Sequence, residues 1–150
     1  MKKPVRSKRS LAESLNICFL DTSALIALAF TGDQNHVEAR RAYDELRFSN
    51  VLFVTTYFVF AETVIYLRRR ASVETAITEG DRLLKSSQVL VVESNPELHG
   101  RGWQIFKKYR DWKDLSYTDC ISFALMNEMG ITRAFTFDSD FRIYGFTSIP

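Results

Sequence analysis

Four short apolar runs punctuate this chain, 17-ICFL-20, 51-VLFVT-55, 88-QVLVV-92 and 132-TRAFTF-137, with a shorter fifth at 147-TSI-149. Runs of this length, rich in β-branched and aromatic residues, suit strands covered on both faces. Helical patterns fill the intervals between the first four. Segment 23-SALIALAF-30 follows the first run and is broken by Gly32 and Asp33. Residues 35–48 set Val37, Ala42, Leu46 and Phe48 among charges, as an amphipathic helix does. Residues 57–70 close on Arg68, Arg69 and Arg70, cations that suit the negative end of a helix dipole. Further helices are predicted over 73–86, from Asn95-Pro96 to about Tyr109, and over 117–129, where Gly130 supplies the stop. Strands alternating with helices give right-handed crossovers, hence a mainly parallel sheet between helical layers. The expected fold is α/β, a three-layer sandwich.

In such sheets ligands collect beyond the carboxyl ends of the strands. Asp21 stands at the end of the first strand, and Asp138 and Asp140 follow the fourth in 136-TFDSDF-141. Each acid has a structural reading beside a functional one. Asp21 is a favoured cap for the helix that follows it. Asp119 completes 116-SYTD-119, which reads as a capping box with an acid three residues after Ser116. Asp–Ser–Asp is ordinary turn chemistry. Glu62 differs, because from Tyr57 to Leu67 only Glu62 and Thr63 are neither apolar nor aromatic. Its helical neighbours are Phe58, Val59, Ile65 and Tyr66, so a buried carboxylate in need of a partner is expected there. An Arg would satisfy it, and so would a metal cluster. Should the four acids converge, pairs about 5 Å apart would repel by roughly 3 kcal/mol each at an effective dielectric near 20. A divalent cation relieves that repulsion, and an all-oxygen ligand set favours Mg²⁺ or Mn²⁺ over zinc.

The totals bound what surrounds these acids. With 150 residues, 46% apolar and 25% charged, the chain has the size and composition of one ordinary domain with a real core. Residues 1–10 carry Lys2, Lys3, Arg6, Lys8 and Arg9 and no acid. The remainder then holds fifteen basic against eighteen acidic residues, a net −3. Residues 1–15 are expected to form a basic, flexible tail, either a solvated bystander or an arm adding phosphate contacts. Cys18 and Cys120 lie in apolar runs without C-x-x-C spacing, which argues against zinc or a disulfide framework. The longest apolar run, residues 17–30, carries Asp21 and is too short to span a bilayer. A cytoplasmic protein without a membrane partner is expected.

Four strings, FLDTSALIAL at 19–28, AETV around Glu62, LSYTDCISFALM at 115–126 and AFTFDSDF at 134–141, resemble the PIN-domain family, and most of all its VapC-type toxins. The resemblance runs over residues 16–150, with 41, 57 and 19 residues between successive acids. It implies a five-stranded parallel sheet in the order 3-2-1-4-5 and endonucleolytic cleavage of RNA dependent on Mg²⁺ or Mn²⁺. On that reading Asp21 and Asp119 are the central metal ligands and catalytic acids. Glu62 and Asp138 complete the ring, with Asp140 able to share the role of Asp138. Thr22, Ser23 and Thr136 become supporting hydroxyls. An antitoxin partner and a homodimer are further implications. A non-catalytic PIN-like module binding RNA or protein is the alternative. A dehalogenase-like phosphatase requires an Asp two residues after Asp21, where Ser23 stands, and a nucleotide-binding Rossmann domain requires a Gly-rich loop after strand one.

Overall fold

A computed structural model describes residues 15–150. The basic N-terminal segment therefore lies outside the described residues, apart from Leu15. The strands are β1 (Ile17–Leu20), β2 (Leu52–Thr56), β3 (Val89–Val92), β4 (Arg133–Phe135) and β5 (Thr147–Ile149). The helices are α1 (Thr22–Ala29), α2 (His36–Phe48), α3 (Tyr57–Arg70), α4 (Val73–Lys85), α5 (Pro96–Lys108), α6 (Tyr117–Met129) and α7 (Asp140–Tyr144). The five strands form one sheet in the order β3-β2-β1-β4-β5, with every pairing parallel. β1 sets Phe19 beside Val54 of β2 and beside Ala134 of β4, so it is central and buried.

From β1 the chain moves outward to β2 and β3, then crosses back over β1 to β4. Right-handed crossovers in opposite directions put the two helix sets on opposite faces. The reversal falls between β1 and β4, and the crevice beyond their carboxyl ends is where such sheets bind ligands. Asp21 leaves β1 at that point. Its backbone N–H still pairs with the Phe135 carbonyl at 3.1 Å, carrying the β1–β4 ladder to the rim.

Aromatic packing fixes the far side of the crevice. Phe141 of α7 is fully buried, with its ring centroid 5.0 Å from that of Phe123 on α6 and 5.9 Å from that of Phe19 on β1. One buried ring thus anchors a five-residue helix and the acidic turn before it. α6 is buried from Thr118 to Met126 and stops at Gly130, whose φ of 68° is the left-handed conformation that glycine tolerates. α5 lies close against α6 at Gly102, where a Cβ would stand 2.5 Å from Ile121 Cδ1. Cys18 and Cys120 are free and buried. Burial pushes their thiols up, to about 12 and about 11. Among the described residues no helix is long and apolar enough to cross a membrane.

Candidate active site

Asp21 is the N-cap of α1 and is 4% exposed. Its Oδ2 accepts from the Ser23 N–H at 3.2 Å, the Ser23 hydroxyl at 2.6 Å and the Thr136 hydroxyl at 2.8 Å. The capping reading is therefore realised, but on one oxygen. Burial raises the pKa of this carboxyl, against the lowering effect of the hydroxyls and of the Ser23 and Thr22 backbone.

Asp119 repeats the arrangement at the start of α6. Its Oδ2 accepts from the Ser116 N–H at 3.0 Å and the Ser116 hydroxyl at 2.6 Å, while the Ser116 oxygen caps the Asp119 N–H. This is a complete capping box. Again a single carboxylate oxygen carries it. Asp119 is 8% exposed, and burial, then the charges of Asp21 and Asp138, push its pKa up to about 7.

Asp138 Oδ1 accepts the Asp140 N–H at 2.9 Å, the turn bond that Asp–Ser–Asp foretells. The Asp138 N–H donates to the Thr136 hydroxyl at 2.9 Å, and the Phe137 N–H to the Ser23 hydroxyl at 2.9 Å. Asp119, Asp138 and Asp140 each offer a carboxylate oxygen, and these lie within 4.8 Å of one another. Asp140 thus sits inside the tightest acidic group. Its pKa is raised by desolvation and by the neighbouring charges of Asp138 and Asp114, against a bond from Trp112.

Glu62 corrects an expectation. It is exposed rather than buried, because α3 turns Val59, Thr63 and Leu67 inward and leaves Glu62 one residue off that line. Its carboxylate is nonetheless held, accepting from Thr118 Oγ1 at 2.5 Å and from Thr22 Oγ1 at 3.2 Å. Thr118 stands inside the capping box, next to Asp119, and escaped the sequence reading. The available signal was its place in the first turn of the helix that carries Asp119.

Four elements therefore bring Asp21, Asp119, Asp138 and Asp140 to one crevice, with Glu62 tied to its rim through Thr118 and Thr22. Asp21 and Glu62 lie outside the 4.8 Å group, although Asp21 is close enough for its charge to raise Asp119. The fit to a cation follows from the oxygens. In Asp21, Asp119 and Asp138 one oxygen holds the backbone, and the side-chain bonds described above leave the other free. Carboxylates so close repel one another, and a hard divalent cation is the ligand that oxygen sets of this kind accept.

The PIN domain family model matches residues 18–146, nearly all of the described chain. This chain belongs to the PIN-domain family. Within that family it is similar to the 23S rRNA-specific endonuclease VapC20 of Mycobacterium tuberculosis, in two strains. Identity is 31% over 131 residues, 87% of this chain and 96% of that protein. The crystal structure of Mycobacterium tuberculosis VapC20, described as a sarcin–ricin loop cleaving toxin, superposes with a TM-score of 0.79. That match has 30% identity and covers 89% of this chain and 99% of the other. The five-stranded parallel sheet and its 3-2-1-4-5 order are those of a PIN domain.

Proposed function

We propose that this chain is an endoribonuclease of the VapC toxin type, hydrolysing RNA phosphodiester bonds with a divalent cation held by Asp21, Asp119, Asp138 and Asp140. The observation that carries the reading is the acidic group of Asp119, Asp138 and Asp140 beside buried Asp21, at the one crevice where the strand order reverses. A non-catalytic module gains nothing from carboxylates kept at such electrostatic cost. Glu62 is the rim ligand of the set, acting directly or through water. Mg²⁺ or Mn²⁺ is the cation this reading favours, since a few carboxylates with several retained waters and a substrate phosphate suit a small octahedral ion.

The chain's own residues orient the ligands. Ser23 and Thr136 fix Asp21 Oδ2, Ser116 fixes Asp119 Oδ2, and Thr118 with Thr22 fixes Glu62. A polyanionic substrate is repelled by these acids when they are charged and bare. A bound divalent cation supplies neutralisation, an anchor for the phosphate and a water of lowered pKa as nucleophile.

The 31% identity to VapC20 supports an rRNA loop as substrate, with the sarcin–ricin loop the first to test. The same kinship supports a cognate antitoxin, a homodimer and a cytoplasmic setting. The test is Mn²⁺- or Mg²⁺-dependent cleavage of a sarcin–ricin stem-loop by purified protein. Asp21→Asn and Asp119→Asn are expected to abolish cleavage while folding normally. Each is also expected to raise the metal-free Tm, because an amide keeps the capping bonds and removes one repelling charge. Full activity in either variant would refute the site assignment.

A further inference from the structure

Beside Glu62, α3 and α1 enclose a cleft of about 430 Å³. Ile26 and Ile65 contribute apolar walls, Tyr66 an aromatic face, and Arg69 and Arg70 two guanidinium groups. Thr22 lines the same cleft and donates to Glu62, whose other oxygen accepts from Thr118 beside Asp119, so the cleft adjoins the rim of the acidic centre. Along α3, Glu62, Ile65, Tyr66 and Arg69 follow at i, i+3, i+4 and i+7, one continuous stripe. Ile65 and Tyr66 are 50% and 38% exposed, so an apolar wall and an aromatic face are open to a ligand beside the two guanidiniums. Among the described residues neither Arg69 nor Arg70 is ion-paired with a carboxylate. From Glu62 to Arg69 the helix advances about 10 Å. That is the distance of a neighbouring nucleotide rather than of the bond being cut.

We infer that this cleft seats a nucleotide flanking the scissile phosphodiester, with its base against Tyr66 and its phosphate between Arg69 and Arg70. The inference rests on the reading of the acids as an RNA-cleaving centre. Paired guanidiniums match phosphate oxygens, and an exposed phenol ring stacks on a base whatever its identity. The subsite therefore holds the strand in register and leaves sequence choice to other contacts. Arg68, one residue earlier, lines a different cavity, between α3 and α4 beside Asp81. It provides a control of equal charge on the same turn.

The experiment measures binding of a fluorescent RNA stem-loop to protein carrying Asp119→Asn, so that the RNA stays intact. Adding Arg69→Gln or Arg70→Gln is expected to weaken binding several-fold and to lower the salt slope by about 0.7 each. Arg68→Gln should leave both close to the parent. Tyr66→Ala should cost about tenfold or more, and Tyr66→Phe should restore it. With Asp119 intact, the Arg69 and Arg70 variants should raise KM and leave kcat nearly unchanged. Equal losses in all three Arg variants, or an unchanged slope in the Arg69 and Arg70 variants, would overturn the subsite. So would a Tyr66→Phe loss as large as that of Tyr66→Ala. If the protein with Asp119 intact cuts no RNA with Mn²⁺ yet these binding losses hold, the cleft stands as an RNA contact and the cleavage reading falls. If the protein with Asp119 intact cuts and the losses are absent, the subsite alone falls.

Discussion

The Thr136 hydroxyl donates to Asp21 Oδ2 at 2.8 Å and accepts the Asp138 N–H at 2.9 Å, so one buried oxygen sets two acids from opposite ends of the chain. Thr136→Val keeps the shape and deletes both bonds. It is expected to destabilise the protein by about 1–3 kcal/mol, because the Asp138 N–H loses its partner. Mn²⁺ affinity should fall by about 10- to 100-fold, as for other residues that orient ligands. Calorimetric Mn²⁺ titration and thermal unfolding would read both effects, Thr136→Ser should recover most of the loss, and an unaltered affinity in Thr136→Val would count against the role. At this scale the sequence was only half legible. Asp21 and Asp119, taken singly, read more readily as caps than as ligands, and in the structure each gives one oxygen to its helix and keeps the other. Glu62 misled because a run of apolar residues does not reveal which side of a helix faces inward. Thr63, not Glu62, takes the buried position.

α5 and α6 meet at Gly102, and their contact carries α6, with Asp119 and Thr118, to its place at the rim. A methyl group at Gly102 would lie 2.5 Å from Ile121 Cδ1 and 3.3 Å from Cγ1, inside a fully buried region. Gly102→Ala is therefore expected to be destabilising by about 1–2 kcal/mol, the crowding outweighing the gain in helix propensity. Ile121→Val removes the offending Cδ1 and alone costs about 0.5–1.5 kcal/mol. Together the two should be less damaging than their sum, a coupling that a double-mutant cycle by urea unfolding measures. Strict additivity would mean that the helices slide apart instead. The larger elements were legible, since five apolar runs and six helical patterns appear within a residue or two of their expected bounds. α7 was not. Five residues are too few to show a helical period, and Asp–Ser–Asp announces a turn. β4 also ends at Phe135 rather than 137: the Thr136 N–H still pairs with the Ile149 carbonyl, but the Phe137 N–H leaves the ladder for the Ser23 hydroxyl beside the acids.

For the molecule as a whole, the crowded acids link stability to pH and to metal. In the metal-free protein the Asp119 carboxyl titrates at about 7, above its ordinary value of 3.8, and Asp21 shifts in the same direction. Between those pH values the native state holds a proton that the unfolded chain has released. Metal-free stability should accordingly fall as pH rises from about 4 to about 7, by an amount on the order of a few kcal/mol. A bound cation needs the ionised acids and stabilises only the native form. The rise in Tm caused by Mn²⁺ should thus be larger near pH 8 than near pH 5.5, where protons compete. Thermal scans with and without the ion test this, and an equal rise at both pH values would show that the acids do not share one cation.

The bonds from Thr136 to Asp21 and from Phe137 to Ser23 join residues 115 and 114 positions apart. Contacts so distant in sequence form late and slowly. During synthesis, which proceeds from the N-terminus, Asp21 and Glu62 emerge long before β4 and the acids that follow it. The acidic centre is therefore incomplete until β4 and the turn after it have emerged and docked. A protein of this kind is made by the machine whose RNA it is proposed to cut, and the acids proposed to cut it come together only after the final strands have been delivered.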